Sequence, residues 1–215
     1  MPKRIAILAS GTGTVARALL DASLRDDLGG GRVVVLVSDR KDAGALERAR
    51  EAGVEAVFLD PAGHQDRASY DRALVGVLGD RDVDLVCLAG FMRILTAAII
   101  DRFRDRVLNT HPALLPAFPG AHAVRDALAW GAKVTGATVH IADEKVDHGP
   151  IVLQAAVPVF PDDDEASLHE RIKEVEHRLF PEAVRLAASD RLVVRGRTVE
   201  IAESLAAVPA MPADR

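Results

Sequence analysis

Asn109 and His111 stand two residues apart at the end of an apolar run, Val107-Leu108-Asn109-Thr110-His111. In an extended strand such residues face the same way, so amide and imidazole point to one side. An amide N–H can donate to an oxygen that gains charge during acyl transfer, and a histidine can move a proton near neutral pH. Asn109 is the only asparagine among 215 residues, which favours a geometric use for it. The loop that follows carries prolines at 112, 116 and 119, which exclude a helix interior and make it a shaped segment. A lone histidine is more often a satisfied structural residue, and that reading stands beside the chemical one. The polar stretch Asp143–Pro150 supplies Asp147. A carboxylate set against His111 orients the ring and raises its pKa above the ordinary ~6.5. Otherwise the stretch is a solvated turn punctuated by Gly149 and Pro150.

A second set of residues follows the first apolar run. Ser10-Gly11-Thr12-Gly13-Thr14-Val15-Ala16 leads from a strand into a helix, where backbone N–H groups and the helix dipole favour an anion. The same residues fit the G-x-G-x-x-A dinucleotide fingerprint, with Asp39 placed as a ribose-binding acid. A phosphate site, a dinucleotide site and plain turn chemistry are all open for this segment. The other histidines carry less. His122 and His140 are expected to line the cleft of His111, and His64 and His169 to lie on the surface. No His, Cys, Asp or Glu set has the spacing of a closed metal site, so no metal is expected.

The elements that must position these groups alternate. Strands are expected at Ile5–Ala9, Val33–Val37, Ala56–Leu59 and Val83–Ala89, with helices at Val15–Leu24, Ala43–Ala52 and Arg67–Leu78. The strand runs are continuous and β-branched, as in strands covered on both faces. The second half predicts strands at Val107–Thr110, Val134–Ile141 and Ile151–Val159, helices at Ala123–Trp130 and Glu165–Ala188, and a hairpin, Leu192–Val194 with Thr198–Ile201, around Arg195-Gly196-Arg197. This is an α/β chain: one doubly wound, Rossmann-like, mostly parallel sheet with helices on both faces. Residues 1–203 read as a single domain, and Ser204–Arg215, rich in Ala and Pro, as a frayed tail.

Composition excludes several classes. Apolar residues make up 49% and charged residues 27%, as in ordinary globular chains, and the net charge of −5 argues against nucleic acid as a partner. Cys87 is alone, flanked by Leu85, Val86 and Leu88; it reads as a buried thiol in a reducing compartment. With no signal peptide and no run of the ~18 apolar residues a membrane span needs, a cytoplasmic protein is expected.

Three separated motifs resemble the folate-dependent formyltransferases. Leu108-Asn109-Thr110-His111-Pro112-Ala113-Leu114-Leu115-Pro116 resembles their N-x-H-P-x-L-L-P signature. Val139-His140 through Asp147-His148-Gly149-Pro150-Ile151 is similar to their aspartate loop, and Leu88-Ala89-Gly90-Phe91-Met92-Arg93-Ile94-Leu95 to their folate-pocket segment. The similarity runs collinearly from about Ile5 to Leu192. It implies Asn109, His111 and Asp147 as the catalytic group, and Gly13, Thr14 and Val15 as holders of a ribonucleotide phosphate. Lys173 would reach the same phosphate and Glu176 the ribose hydroxyls. Arg67 would contact the folate tail, and Met92, Arg93, Ile94 and Leu95, with Asn109, the pterin end. Val15 departs from the family, whose members often have asparagine there.

The activity so implied is transfer of a formyl group from 10-formyltetrahydrofolate to the amine of glycinamide ribonucleotide, in purine synthesis, with small-molecule partners only and without metal. A homodimer is compatible with it. Within the family, a formyltetrahydrofolate hydrolase is the alternative; it carries an extra N-terminal domain that a chain starting at its first strand is expected to lack. A dinucleotide-binding oxidoreductase or nucleotide-binding module explains Gly11–Ala16 and Asp39 but leaves Asn109, His111 and Asp147 unemployed. Because Ser204–Arg215 has no periodic apolar pattern and no implied site residue, its removal should leave turnover and melting temperature unchanged. A large loss of either in the truncated protein would show that the tail packs or completes the site.

Overall fold

Neighbouring residues of the first strand serve different cores, and this decides the architecture. In the computed structural model, which describes residues 1–202, strand β1 (Arg4–Leu8) points Ile5 and Ile7 into one apolar cluster and Ala6 and Leu8 into another. The first cluster holds side chains of α1 (Thr14–Leu24), α2 (Gly44–Glu51) and α6 (Glu165–Ala188). The second holds those of α3 (Arg67–Gly79) and α4 (Ala97–Arg102). A strand covered on both faces has no solvent side for polar residues, hence its continuous apolar run.

The sheet has nine strands among the described residues. The others are β2 (Arg32–Ser38), β3 (Glu55–Phe58), β4 (Leu85–Leu88), β5 (Val107–His111), β6 (Val134–Ile141), β7 (Ile151–Pro158), β8 (Leu192–Arg195) and β9 (Thr198–Ile201), with α5 (Ala123–Trp130) between β5 and β6. Their order is β3-β2-β1-β4-β5-β6-β7-β9-β8. The first five are parallel, and β6 and β8 run against the rest. The expected doubly wound α/β fold is therefore present, with antiparallel additions on the side of β5.

Chain order reverses at β1, which lies between β2 and β4. At such a switch the loops leaving the two strands part in opposite directions and open a crevice at their carboxyl ends. The loops that part here are Gly11–Gly13 after β1 and Gly90–Leu95 after β4. The end of β5 borders the same crevice.

Several boundaries differ from expectation. Helix α4 and a 3-10 turn at Pro61–Gly63 were not expected. Six residues are too few to show a helical period, and the paired isoleucines of α4 carry β propensity. Strand β5 extends one residue further than its apolar pattern, to include His111. Asp66 and Asp164 start α3 and α6 through capping boxes with Ser69 and Ser167, signals of type and spacing rather than hydrophobicity. The expected frayed tail lies outside the described residues.

Helix α6 packs across the sheet against β4 to β7 and against α1 and α5. Its Phe180 is fully buried in the cluster shared with α1 and β1. Phe180→Ala should destabilise the protein by about 3–5 kcal/mol through lost burial and a residual cavity. Urea unfolding at matched pH is the check; a change under 1 kcal/mol would mean that the region collapses onto the gap.

Candidate active site

A cleft of about 760 Å³ opens at the switch point. One end is the turn after β1. Gly13 has φ 76°, and a Cβ on it would lie 2.6 Å from the Ala45 Cα, so only glycine allows α2 to pack there. Helix α1 starts at Thr14 without a side-chain cap, and Thr14 and Val15 line the cleft. The Val15 side chain packs on the core, so this position can offer its backbone N–H whether or not it carries asparagine. Lys173 and Glu176, with His169, face the same end from α6. Their spacing of three to four residues puts them on one helical stripe.

The loop after β4 lines the cleft as well. Met92, Arg93, Ile94 and Leu95 line it; Met92 and Ile94 are exposed at its mouth and Leu95 is buried. This loop is held at both ends. Ser10 Oγ accepts from the Met92 N–H at 2.9 Å and donates to Asp39 Oδ1 at 2.6 Å. At the far end the Thr96 N–H donates to Asp71 Oδ2 at 2.6 Å, and Asp71 is fully buried. The Arg93 guanidinium lies 4.6 Å from the centre of the Tyr70 ring.

Asn109, His111, His140 and Asp147 meet in the lining of the same cleft, on its floor. Strand alternation turns Asn109 and His111 the same way, and register places Asn109 opposite His140 on β6. Asp147, at φ 52° in the loop after β6, aims its carboxylate at all three. Its Oδ2 is 3.3 Å from His111 Nδ1 and accepts from the Gly120 N–H at 2.8 Å. Its Oδ1 is 3.6 Å from His140 Nε2 and 3.4 Å from Asn109 Nδ2. Asn109 Nδ2 also lies 3.0 Å from His140 Nε2, while His140 Nδ1 lies 3.1 Å from the Ile141 carbonyl. The Nδ1 of His140 thus faces an acceptor, while its Nε2 is shared between the Asn109 amide and the Asp147 carboxylate.

Charge on this floor is set first by burial. His111 is pushed below the ordinary histidine value by desolvation; the Asp147 charge and the Phe118 carbonyl, 2.8 Å from Nε2, oppose this without cancelling it. The expectation that Asp147 raises His111 above ~6.5 is thus corrected: the carboxylate is present, but dry surroundings outweigh it. The ring is still bounded by two acceptors, so a proton arriving during a reaction finds both N–H groups bonded. Burial acts on Asp147 too, upward, but bonds from His140 and Gly120 and the histidine charges bring it below the usual carboxylate value.

Other expectations fare differently. His122 is exposed ahead of α5 and does not line the cleft, whereas His169, expected on the surface, does line it because it shares the stripe of Lys173. Arg67, exposed at the first turn of α3, is not among the lining residues. Asp39 is engaged by Ser10. Cys87 is buried in the core, its thiol pushed up by desolvation. Among the described residues no group of three or more His, Cys, Asp or Glu could hold a metal ion, and no helix is long and apolar enough to cross a membrane.

The formyl transferase family profile matches residues 3–184. The chain belongs to the formyl transferase family. It is 50% identical to the phosphoribosylglycinamide formyltransferase of Mycobacterium tuberculosis, over 92% of this chain and 90% of that protein. It superposes on the crystal structure of glycinamide ribonucleotide transformylase 1 from Symbiobacterium toebii with a TM-score of 0.91 and 51% identity, over 94% of each chain. A formyltetrahydrofolate deformylase from Pseudomonas syringae has TM-score 0.86 at 22% identity, covering 94% of this chain and 67% of that one; this likeness concerns the fold alone.

One carboxyl in this formyl transferase cleft is held against its preference. Glu176 is 4% exposed, and burial pushes its pKa up to about 7, although the Thr110 hydroxyl donates to it at 2.8 Å and Lys173 is near. The folded value lies above the unfolded ~4.3, so the native state binds this proton more tightly, and stability falls as pH rises from about 4 toward 7. Glu176→Gln, which keeps the Thr110 bond, should therefore stabilise the protein by about 1–3 kcal/mol at pH 8 and hardly at all at pH 4. Urea titrations at the two pH values test this; equal effects would show that the carboxylate is not strained.

Proposed function

We propose that this formyl transferase moves the formyl group of 10-formyltetrahydrofolate to the amine of glycinamide ribonucleotide, as a cytoplasmic step of purine synthesis carried out by residues 1–203 as one unit. The observation that carries the reading is that three groups line one cleft: the helix start after β1 with Lys173 and Glu176, the loop Met92–Leu95, and Asn109, His111 and Asp147. An acceptor with a phosphate and a donor with a flat, largely apolar ring system would use all three. The names of the Mycobacterium tuberculosis and Symbiobacterium toebii proteins support the same choice of acceptor.

In this reading the N–H groups of Gly13, Thr14 and Val15 hold the ribonucleotide phosphate together with Lys173, and Glu176 accepts from the ribose hydroxyls. Met92, Arg93, Ile94 and Leu95 hold the pterin end, and Arg67, outside the cleft, reaches the exposed tail. The neutral amine attacks the formyl carbon. Asn109 donates to the oxygen that becomes negative; its 3.4 Å contact with Asp147 is the looser of its two and the one a substrate oxygen replaces. For His111 to take the amine proton and return it to the departing folate nitrogen, its Nε2 exchanges the Phe118 carbonyl for the substrate, while Asp147 stays against Nδ1 and stabilises the charged ring. Proton transfer of this kind contributes ~10²–10⁴-fold and one oxyanion donor ~10²–10³-fold. Water as acceptor is the second reading; it leaves Lys173, Glu176 and the helix start without a ligand.

The test is a transfer assay with both substrates beside a control lacking the ribonucleotide. Turnover in the control at the full rate would mean hydrolysis. Asp147→Asn should lower kcat by ~10²-fold or more with ribonucleotide affinity nearly unchanged, because it removes an interaction made mainly in the transition state. The same change removes the one charge that raises His111, so the ring should titrate lower still by NMR. Near-normal turnover across pH 6–9 would reduce Asp147 to a turn residue.

A further inference from the structure

The hairpin of β8 and β9 lies at the sheet edge, far in sequence from the cleft, and its turn carries Arg195-Gly196-Arg197. Its one registered pairing with β7 is Thr198 against Ile151. That pairing brings the preceding residue, Arg197, against the end of the Asp147 loop. Arg197 Nη2 donates to the His148 carbonyl at 2.8 Å, and Nη1 is 3.5 Å from His148 Nδ1. His148 Nδ1 lies 3.0 Å from Asp143 Oδ2, and Asp143 Oδ1 accepts from the Lys145 N–H at 2.9 Å. The guanidinium thus grips the residue next to Asp147 and joins a chain of contacts back to the loop's first turn.

We propose that Arg197 is a positioning residue for Asp147: a strut from the hairpin that keeps the loop in the one conformation that delivers the carboxylate to the floor. The backbone does not fix this conformation by itself. Asp147 sits at φ 52°, in the left-handed region that aspartate enters at small cost, as Asp26, Asp82, Asp105 and Asp190 do elsewhere in the chain, so contacts on both sides of the loop must set its course. From inside, the loop is held by Gly120 and the histidines through the Asp147 side chain itself. From outside, Arg197 holds the peptide that follows. The base of the hairpin is closed in turn by Arg191, whose Nε donates to the Ala202 carbonyl at 2.6 Å. Arg195, across the turn, pairs with Glu200 at 3.2 Å and makes no other side-chain contact of this kind among the described residues, and is the natural control.

The inference rests on the role proposed for Asp147, so the experiment has one readout that needs no catalysis. Hydrogen exchange of the peptide covering Asp143–His148 is followed in the wild type, Arg197→Met, Arg197→Lys and Arg195→Met, together with kcat and both KM values. Losing a charge-assisted bond at the surface should make loop exchange about three- to tenfold faster in Arg197→Met and lower kcat by a similar factor. Ribonucleotide KM and exchange within Leu192–Ile201 should not move. Arg197→Lys should recover part of both effects, and Arg195→Met should match the wild type. Unchanged loop exchange in Arg197→Met, or the same acceleration in Arg195→Met, overturns the strut. Faster exchange with no loss of kcat overturns the link to Asp147. A wild type with no formyl transfer but the expected exchange pattern would retire the functional reading and leave the strut standing.

Discussion

A carboxylate taken out of water must be met by donors or it will take up a proton. The Asp147 side chain is 8% exposed and remains ionised at neutral pH because its partners come from three directions. Gly120 reaches it from the end of the proline-rich loop, Asn109 and His111 from β5, and His140 from β6. No single element could supply these, so satisfying one buried charge ties the central strands, the loop after β5 and the loop after β6 into a fixed constellation. The antiparallel turn of the sheet at β6 is part of this, since it sets His140 opposite Asn109.

The switch point supplies the space, and the satisfied floor closes it at β5 and β6. Loops after β1 and β4 part because the strand order reverses there, a consequence of winding direction alone. What holds them in place is local. Ser10 bridges both loops while engaging Asp39, and Asp71 anchors the far end of the second at Thr96. The acid that suggested a dinucleotide ribose is therefore already committed to the scaffold. A glycine fingerprint followed by an acid can therefore serve the scaffold of the two loops.

Much of this was legible in the sequence, and what escaped has a common cause. The long helix Glu165–Ala188, the strand Val134–Ile141 and the covered strands of the first half are repetitive patterns, and repetition survives reading one residue at a time. The pairing of Asn109 with His111 was visible because strand alternation is local. The meeting of both with Asp147 was not, since it depends on how a loop 36 residues beyond His111 is folded back. The misplacement of His122 and His169 arose the same way: sequence neighbours suggested the environment, while the helical stripe of Lys173 and Glu176 determined it. The lowered His111 pKa escaped for a different reason. Charge partners can be named from a sequence, but desolvation is a property of everything around the ring, and here it is the larger influence.

The distribution of buried polar groups then shows how stability is divided in this fold. Sheet faces and helix stripes are apolar nearly throughout, and the buried ionisable groups Glu176, His111 and His140 line the cleft, with Asp71 at the anchor of its loop. Such groups cost free energy to bury, and Glu176 does so without a full set of donors. A chain of this size retains only about 5–15 kcal/mol of net stability, so a few costly groups are tolerable only if the rest of the core is close to ideal. That division follows from the topology. Parallel strands wrapped on both faces give a core of uninterrupted apolar residues, and the winding leaves one edge of that core, at the switch, where uncompensated chemistry can be held rigidly by neighbours that need no rigidity from it.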